Sequence, residues 1–413
     1  MNNIKTKAPN YTFALIVMFA VLFLIGFITT MNNSMIEFCK QAFNLKDSQG
    51  QLVNTAFYGA YALSIPFGLM MNKIGYKKTL LLGLAIVGIG FIINYLGISS
   101  LLGMETSVIY SVFLGSMFIV ALGIVMLQLV ANPYVMVLGS PEKGAFRMTL
   151  ANALNSAATT VAPVFITYVI IAGKAPTPDA VPTPYLGLGI FTLILCAILF
   201  FMKLPNINEA EQAEEASGEH KEYKSSVFQY PHVWLGMLGI FFYMGIELGV
   251  PSMLPAYFKS NPSLLDYGTA TEFLSYYWGG MMIGRFAGAI ILNKFKPRHI
   301  LSVCLICGAI CVATSFVLSG IASVYAMLAA GLFHSVMWPL VFNLGLQELG
   351  PHTKAASGII NLGVVDGATL PLVMGAIVDN PALGVGYAIA LMFIYYIYVF
   401  WFCNFGSKIG LKK

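Results

Sequence analysis

The sequence predicts an all-α integral membrane protein with twelve transmembrane helices in two pseudo-symmetric bundles of six. Of its 413 residues, 58% are hydrophobic and only 9% are charged, whereas a soluble domain carries about 25% charged residues. Twelve continuous apolar runs follow one another as six, a polar gap, and six, and each is close to the roughly 20 residues that cross a bilayer. Because the runs are continuous rather than alternating, they exclude an outer-membrane β-barrel.

The apolar runs are named spans 1 to 12 in chain order. Span 1 is too long for the apolar region of a signal peptide and lacks a small-residue cleavage site. Spans 1 to 6 are predicted at 11–36, 50–72, 79–99, 107–138, 148–172 and 185–203. Spans 7 to 12 are predicted at 232–258, 271–293, 299–319, 321–347, 355–378 and 384–406.

A polar stretch separates the two sets of spans and defines the predicted domains. Residues 204–230 hold 6 of the 17 acidic residues, a composition typical of a solvated, partly helical or disordered connector. We therefore predict a first bundle at 1–203, a cytoplasmic polar linker at 204–230 and a second bundle at 231–413.

The distribution of lysine and arginine predicts the orientation. With the amino terminus inside, the inner connections carry 17 of these residues and the outer connections 4, while Arg285 lies within a span. This asymmetry predicts that both termini are cytoplasmic. The basic residues are too scattered to suggest a nucleic-acid partner, and six cysteines in a chain of this length do not indicate a disulfide framework.

The two halves share polar and proline positions. Gln128 and Pro133 on span 4 match His334 and Pro339 on span 10 at an offset of 206 residues. Basic connections also follow spans 2 and 8. Two matching six-helix halves are typical of a transporter built from repeats, whose binding site lies at the repeat interface.

Deep polar side chains are the candidate binding site, because polar groups within lipid are costly. Amides both donate and accept hydrogen bonds, which suits a neutral polyhydroxylated ligand, and aromatic rings complement the C–H face of a sugar. An amide in a span could equally bond a neighbouring helix. The predicted substrate-binding residues are Asn33, Asn54, Gln128, Asn132, Asn155, His334, Trp338 and Asn361.

Three ionisable residues of the second half are candidates for coupling or gating: Glu247, Arg285 and Asp366. Glu247 and Arg285 could instead form a structural ion pair between spans 7 and 8. Asp366 could be a protonated acid that donates to a backbone carbonyl. Similarly, Asn132 could satisfy backbone groups that the neighbouring Pro133 frees.

Four segments of the chain carry specific motifs: Leu127–Val135, Phe57–Tyr61, Tyr277–Gly280 with Gly284–Phe286, and Gly331–Pro339. Together they resemble the fucose–galactose–glucose:proton symporter family of the major facilitator superfamily, over the whole chain. The resemblance implies the major facilitator fold and transport of a neutral sugar across the bacterial inner membrane by a functional monomer, driven by protons or sodium.

Several residues depart from the pattern of this family. Gln128 stands where the fucose branch has a carboxylate, and both Gln128 and Glu247 resemble the glucose/galactose branch. The usual amino-terminal proton site is therefore replaced by amides. The other departures are Asn33 for the usual Asp, His334 for Asn, Asp366 for Gly and Glu37 for Pro.

These departures leave three mechanisms open for a monosaccharide transporter. The coupling acid lies in the second half, at Glu247 or Asp366; or a sodium ion is bound with charge from one of them; or the protein is an uncoupled uniporter. A transport-dead sugar sensor is a further alternative, whereas the short connections disfavour an enzyme. We expect no cofactor beyond a co-transported proton or sodium ion, and no partners beyond the sugar and the lipid bilayer.

Overall fold

The computed structural model describes residues 11–45, 47–50, 52–171, 176–204, 223–267, 270–380 and 382–411, and it leaves a few side chains within these ranges undescribed. The described residues form helices joined by short connections, and no β-strand occurs among them. The all-α prediction is therefore confirmed. The six cysteines are free thiols.

The first half contains the six helical spans that hydropathy predicts. Span 2 tightens into a 3-10 turn near its middle, and span 5 ends in a π-helical turn. The helices are Thr12–Ala42 (span 1), Leu52–Gly59 with Ala60–Leu63 (span 2), Ser64–Leu101 (the rest of span 2 and span 3), Thr106–Val137 (span 4), Gly144–Phe165 with Ile166–Ile171 (span 5) and Pro182–Phe201 (span 6).

The second half contains the other six spans, and three of them are interrupted. They are Pro231–Ser260 (span 7), Ala270–Ile291 (span 8), Pro297–Val317 (span 9), Ile321–His334 with Met337–Gly345 (span 10), Thr353–Leu362 with the 3-10 turn Gly363–Ala368 and Leu370–Asp379 (span 11), and Val385–Ala390 with Met392–Asn404 (span 12).

Eight helical segments in the described part are long and apolar enough to cross a membrane. One of them, Leu52–Leu101, has 50 residues, more than twice the roughly 20 needed for one crossing. It is interrupted at Gly75, whose φ of 82° and ψ of 171° are open to glycine and strained for other residues. This segment therefore contributes spans 2 and 3, and spans 5, 8 and 11 complete the twelve.

The two halves pack against each other through few spans. Span 2 contacts span 11, span 5 contacts span 8, and span 4 also reaches span 11. Spans 2 and 11 touch backbone to backbone, since a Cβ atom on Gly68 would lie 2.8 Å from the Cα of Gly358. Small residues allow this kind of close approach between membrane helices.

The interruptions in spans 10 and 11 were not predicted. Pro339 and Pro371 lack an N–H group, so each removes a hydrogen bond to the preceding turn. Span 10 stops being helical at Ser335 and Val336, and span 11 becomes a 3-10 turn before Leu370. Span 4 instead stays helical through Pro133, so matching prolines do not produce matching breaks.

Most of the predicted linker, residues 205–222, lies outside the described residues. Its described end packs on the second half. The Nε2 atom of His352 lies 2.7 Å from the carbonyl oxygen of Lys224, and the backbone N–H of Lys224 donates to the hydroxyl of Tyr230 at 2.9 Å. The division into two bundles and a cytoplasmic linker stays a prediction.

Candidate functional site

A cavity of 180 Å³ lies between the two halves. Its walls come from spans 1, 2, 4 and 5 of the first half and spans 7, 8, 10 and 11 of the second. Both halves therefore contribute to one shared space. Six of the predicted site residues line it: Gln128, Asn132, Asn155, Glu247, Arg285 and Trp338.

Gln128 is held in the cavity wall by a tyrosine of span 2. The Tyr61 hydroxyl donates a hydrogen bond to the side-chain oxygen of Gln128 at 2.7 Å. Because this bond occupies the amide oxygen, it leaves the amide NH₂ group as the donor for a ligand. Tyr61 is itself buried and lines the same cavity.

The side-chain NH₂ group of Asn132 is buried but has no hydrogen-bond acceptor in the described structure. The neighbouring Pro133 removes the N–H that would bond the Leu129 carbonyl one turn earlier. The Ser357 hydroxyl of span 11 donates to that carbonyl at 3.3 Å, so Asn132 does not supply the missing bond. The Asn132 Nδ2 atom is buried with no hydrogen-bond partner in the described structure, and the residue lines the cavity. A ligand oxygen would satisfy it.

Asn155 is anchored on span 1. Its side-chain NH₂ group donates to the carbonyl of Leu22 at 2.6 Å. The approach requires glycine at position 26, because a Cβ atom there would lie 2.7 Å from the Asn155 Nδ2 atom. Anchored in this way, Asn155 keeps its side-chain oxygen as an acceptor in the cavity wall.

Glu247 and Arg285 form an ion pair in the cavity wall. Their Oε1 and Nη2 atoms are 3.5 Å apart, and each side chain is 13% exposed. Arg285 also donates from Nε to the Ser335 carbonyl at 3.1 Å and from Nη1 to the Ser156 hydroxyl. Ser156 belongs to span 5 of the first half. The Glu247–Arg285 ion pair, which the sequence allows as a structural contact, is therefore also linked to the other half through Arg285.

Aromatic rings form the remaining walls. Trp338 is buried and stacks on Phe342 with ring centroids 5.0 Å apart, whereas Trp278 is 39% exposed. Tyr58 and Tyr61 contribute from span 2. These rings can cover the apolar face of a sugar while the amides bind its hydroxyl groups.

His334 was predicted to bind substrate, but the structure places it outside the central cavity. It is fully buried, it is not among the cavity-lining residues, and its two ring nitrogens face tyrosines: Nδ1 lies 2.7 Å from the Tyr277 hydroxyl and Nε2 contacts the Tyr396 hydroxyl. Tyr277 donates its only proton to the Glu247 carbonyl at 2.8 Å, so it accepts from Nδ1–H. Both nitrogens are thus satisfied within the protein, and neither is available to a sugar.

Two predicted amides also lie away from the cavity lining. Asn54 accepts from the Asn32 amide at 3.5 Å, which joins spans 1 and 2. Asn361 is buried and donates to the Ser357 carbonyl at 3.0 Å. Both match the alternative of helix packing rather than ligand contact. The side chain of Asn33 lies outside the described residues, so its predicted contact stays a prediction.

Asp366 lies in the 3-10 turn of span 11, outside the cavity lining. Its Oδ1 atom accepts from the Thr369 hydroxyl at 2.7 Å and from the Leu370 N–H at 3.1 Å. Its Oδ2 atom is buried without a hydrogen-bond partner in the described structure. The carboxyl group thus caps the last helical segment of span 11. Its Oδ1 atom acts as an acceptor, unlike the protonated acid donating to a backbone carbonyl that the sequence also allowed.

Several cavity residues were absent from the predicted site. Two of them, Tyr58 and Tyr61, lie in the segment that carries the family resemblance, and the others bear amide, hydroxyl or indole groups within spans. The missed residues are Thr29, Thr30, Tyr58, Tyr61, Asn152, Ser156, Thr159 and Trp278.

A multi-pass membrane protein with two six-helix halves around a shared central cavity has the architecture of a transporter built from repeats. A sequence profile described as the Major Facilitator Superfamily matches residues 18–370. The chain belongs to this superfamily and, within it, to the sugar-symporter family that its motifs resemble.

Relatives and solved structures agree with this assignment. The chain is 36% identical over 411 residues to a glucose/galactose transporter of Brucella abortus, covering 98% of this chain and 96% of that protein. It is 26% identical over 396 residues to the L-fucose-proton symporter of Escherichia coli, covering 90% and 88%.

The fold matches a crystal structure of the E. coli fucose:proton symporter, with a TM-score of 0.79 at 24% identity, covering 96% of this chain and 99% of that one. The predicted fold class and family are confirmed, and the relatives are transporters rather than enzymes.

Proposed function

We propose that the protein imports a neutral monosaccharide across the bacterial inner membrane by alternating access, coupled to a proton or a sodium ion. The observation that carries this proposal is the cavity shared by the two halves, with amides on one side and indole rings and an ion pair on the other. The names of the relatives, a glucose/galactose transporter and an L-fucose-proton symporter, support a sugar as the substrate.

The cavity has the chemistry that a hydroxyl-rich neutral molecule requires. The Gln128 NH₂ group and the unpaired Asn132 NH₂ group can donate, and the Asn155 oxygen can accept. Each sugar hydroxyl can do both. The two charged residues in the wall, Glu247 and Arg285, pair with each other, so the cavity does not favour a net charge on the ligand.

Alternating access follows from the placement of these groups. A ligand that touches amides of the first half and aromatic rings of the second binds best when the halves are at one separation. Its binding energy therefore differs between conformations, and such a difference is what shifts a conformational equilibrium. Hexoses and deoxyhexoses fit this description, as does an amino sugar in its neutral form.

We assign the coupling role to Glu247, with Asp366 as a second candidate. Among the described cavity-lining residues, Glu247 is the one carboxylate. Arg285 holds it at 3.5 Å and also contacts Ser156 of the other half. A proton or a sodium ion on Glu247 competes with Arg285 for the carboxylate, so cation binding changes a contact that joins the two halves.

The first prediction tests the sugar site with two amides. Gln128→Ala should weaken sugar binding by about tenfold or more. The variant loses the NH₂ donor to the sugar, and the buried Tyr61 hydroxyl loses its acceptor. Asn54→Ala is the matched control, since Asn54 bonds Asn32 outside the cavity lining. Affinity for glucose, galactose and fucose is measured by calorimetry on the purified protein, with thermal unfolding as the folding check.

Unchanged affinity in the folded Gln128→Ala protein would remove this residue from the site. Equal losses in both variants would show that the central cavity is not where the sugar binds. If none of the neutral sugars binds or is taken up by proteoliposomes containing the unmodified protein, the proposal of sugar transport is wrong. Uptake that does not change with an imposed proton or sodium gradient would indicate an uncoupled uniporter.

A further inference from the structure

A second cavity lies on the outer surface of the second half. It is a groove of 380 Å³ between spans 8, 9 and 10, near the connection from span 8 to span 9. Its walls are almost entirely apolar, and Ile291, Val303 and Leu332 are exposed along it. In a protein that spans the membrane, such a surface meets hydrocarbon chains.

One end of the groove is strongly cationic. Phe295 and His299 line that end, and Lys294, Lys296 and Arg298 alternate with them in the connection. Lys294 and Lys296 are exposed. From Phe273 to Gln347 the chain contains no aspartate or glutamate, and the carboxylates nearest to the connection, Glu142 and Glu348, line a separate cavity together with Pro297.

We propose that this groove is a binding site for an anionic phospholipid, whose acyl chain fills the groove and whose head group is bound by Lys294, Lys296 and His299. An apolar slot that ends in exposed cations matches the two parts of such a lipid. Basic pockets beside transmembrane helices favour anionic head groups, and the basic connections are predicted to face the cytoplasmic leaflet, which is rich in anionic lipid in many membranes.

The groove lies directly behind the break in span 10. Ser335 and Val336, the two residues of that break, form its floor, and the Ser335 carbonyl accepts the hydrogen bond from Arg285. Span 8 packs tightly there, because a Cβ atom on Gly284 would overlap Ser335 and one on Gly288 would overlap Val336. A bound acyl chain would therefore support the segment that positions Arg285 in the central cavity.

The test compares phosphatidylglycerol with phosphatidylcholine of the same acyl chains, bound to the full chain in detergent and counted by native mass spectrometry. Lys294→Gln with Lys296→Gln should lower retention of phosphatidylglycerol roughly tenfold, because two cationic contacts are lost, and leave phosphatidylcholine unchanged. Lys73→Gln with Lys78→Gln, in the corresponding basic connection of the first half, is the matched control. Both pairs are exposed, so folding should persist, and thermal unfolding checks it.

A variant that fills the groove distinguishes lipid binding in the groove from general attraction of anionic lipid to the basic surface. Ala287 lines the groove and is exposed, so Ala287→Trp should fit without disturbing the core and should displace the acyl chain while all basic residues remain. Phosphatidylglycerol retention should fall as it does in the double-lysine variant. Equal retention of the two lipids by the unmodified protein, equal loss in the first-half control, or full retention in Ala287→Trp would each overturn the proposal.

Discussion

Arg285 connects three spans through a single guanidinium group. It pairs with Glu247 on span 7, donates to the Ser335 carbonyl on span 10 and contacts the Ser156 hydroxyl on span 5 of the other half. Hydrogen bonds from a fixed planar fork of donors hold such a side chain in one orientation. Arg285 therefore balances the charge on Glu247, and its contact with Ser156 depends on the relative position of the two halves.

The second prediction follows from this arrangement. Glu247→Gln removes the carboxylate that a cation can occupy but keeps an acceptor for Arg285, so the site should survive while coupling is lost. Sugar accumulation driven by an imposed proton or sodium gradient in proteoliposomes should fall by about tenfold or more. Exchange of sugar at equal concentrations on both sides should change much less.

Asp366→Asn provides the comparison within the same protein. Its carboxyl group lies outside the cavity lining and caps span 11 through Thr369 and Leu370. If Asp366→Asn abolishes driven accumulation and Glu247→Gln does not, the coupling site is at Asp366. Equal losses of accumulation and exchange in Glu247→Gln would mean that the ion pair has a structural role.

Amides illustrate what a single sequence can predict at this scale. Hydropathy shows that Gln128, Asn54 and Asn361 lie within spans, which makes all of them candidates. Which face of a helix each one occupies depends on how the helix is rotated against its neighbours. Only Gln128 of these three lines the cavity, because span 4 turns that face toward the other half, whereas Asn54 and Asn361 bond side chains or backbone nearby.

At the scale of the helix, prolines create acceptors that side chains then occupy. Pro251 frees the Glu247 carbonyl, which accepts from Tyr277 at 2.8 Å, and Pro339 frees the Ser335 carbonyl, which accepts from Arg285. Membrane helices tolerate proline when neighbouring groups satisfy the freed backbone. At Pro133, Pro251 and Pro339, the freed carbonyl is thus a place where one span is joined to another.

The third prediction concerns the core around span 10. His334 bonds Tyr277 and Tyr396 and lies in contact range of Gly308, so it connects spans 8, 9, 10 and 12. His334→Asn is too short to reach both tyrosines, and it leaves a buried hydroxyl unpaired. We expect a loss of about 1–3 kcal/mol in stability, seen as a lower unfolding temperature in detergent.

Sugar affinity separates the two roles of His334. If the residue is structural, the folded His334→Asn protein should bind sugar nearly as well as the unmodified protein. A strong loss of affinity at unchanged stability would instead restore His334 to the binding site. Phe393, which also contacts Tyr396 with ring centroids 6.5 Å apart, offers a control, since Phe393→Leu leaves both ring nitrogens of His334 occupied.

Hydropathy predicts where spans lie but not where they break. Span 10 reads as one apolar run, yet its helix is interrupted between His334 and Met337. Span 4 contains Pro133 in the matching position and stays continuous. The difference arises from tertiary contacts, since span 10 is held at its break by Arg285 and by Tyr243, which donates to the His334 carbonyl at 3.2 Å. Such contacts are invisible in a single sequence.

Across the whole molecule, one set of contacts between the halves lies near the ends that carry the basic connections. Lys354 lies over the ring of Tyr76 with its Nζ atom 4.7 Å from the centroid, which joins span 11 to the connection after span 2. The Ser357 hydroxyl donates to the Leu129 carbonyl in the same region. Spans 2, 4 and 11 therefore hold the two halves together on the side that is predicted to be cytoplasmic.

Alternating access requires these contacts to separate when sugar is released on that side. The closest of them is between Gly68 on span 2 and Gly358 on span 11. A Cβ atom on Gly358 would lie 2.6 Å from the Ser64 carbonyl oxygen and 2.9 Å from the Gly68 Cα atom. Both neighbours are backbone atoms, so neither can move aside without moving span 2.

The last prediction uses this overlap. Gly358→Ala should disfavour the conformation described here and populate the one that is open on the basic side, by about tenfold for a steric cost on the order of 1–3 kcal/mol. A cysteine replacing Asn152 in the cavity wall, with the six native cysteines changed to serine, reports this opening. A membrane-impermeant maleimide applied from the basic side should label it faster in the Gly358→Ala protein.

Gly375→Ala is the matched control, because it lies on the same span and a Cβ atom there would meet no atom within 4 Å. Its labelling rate should equal that of the parent protein, and sugar exchange should be slowed only by Gly358→Ala, since one conformation would then be favoured at the expense of the other. Equal labelling in both variants would show that spans 2 and 11 do not separate at this contact. The two halves would then have to move about other contacts, such as those that span 5 makes with spans 8 and 10.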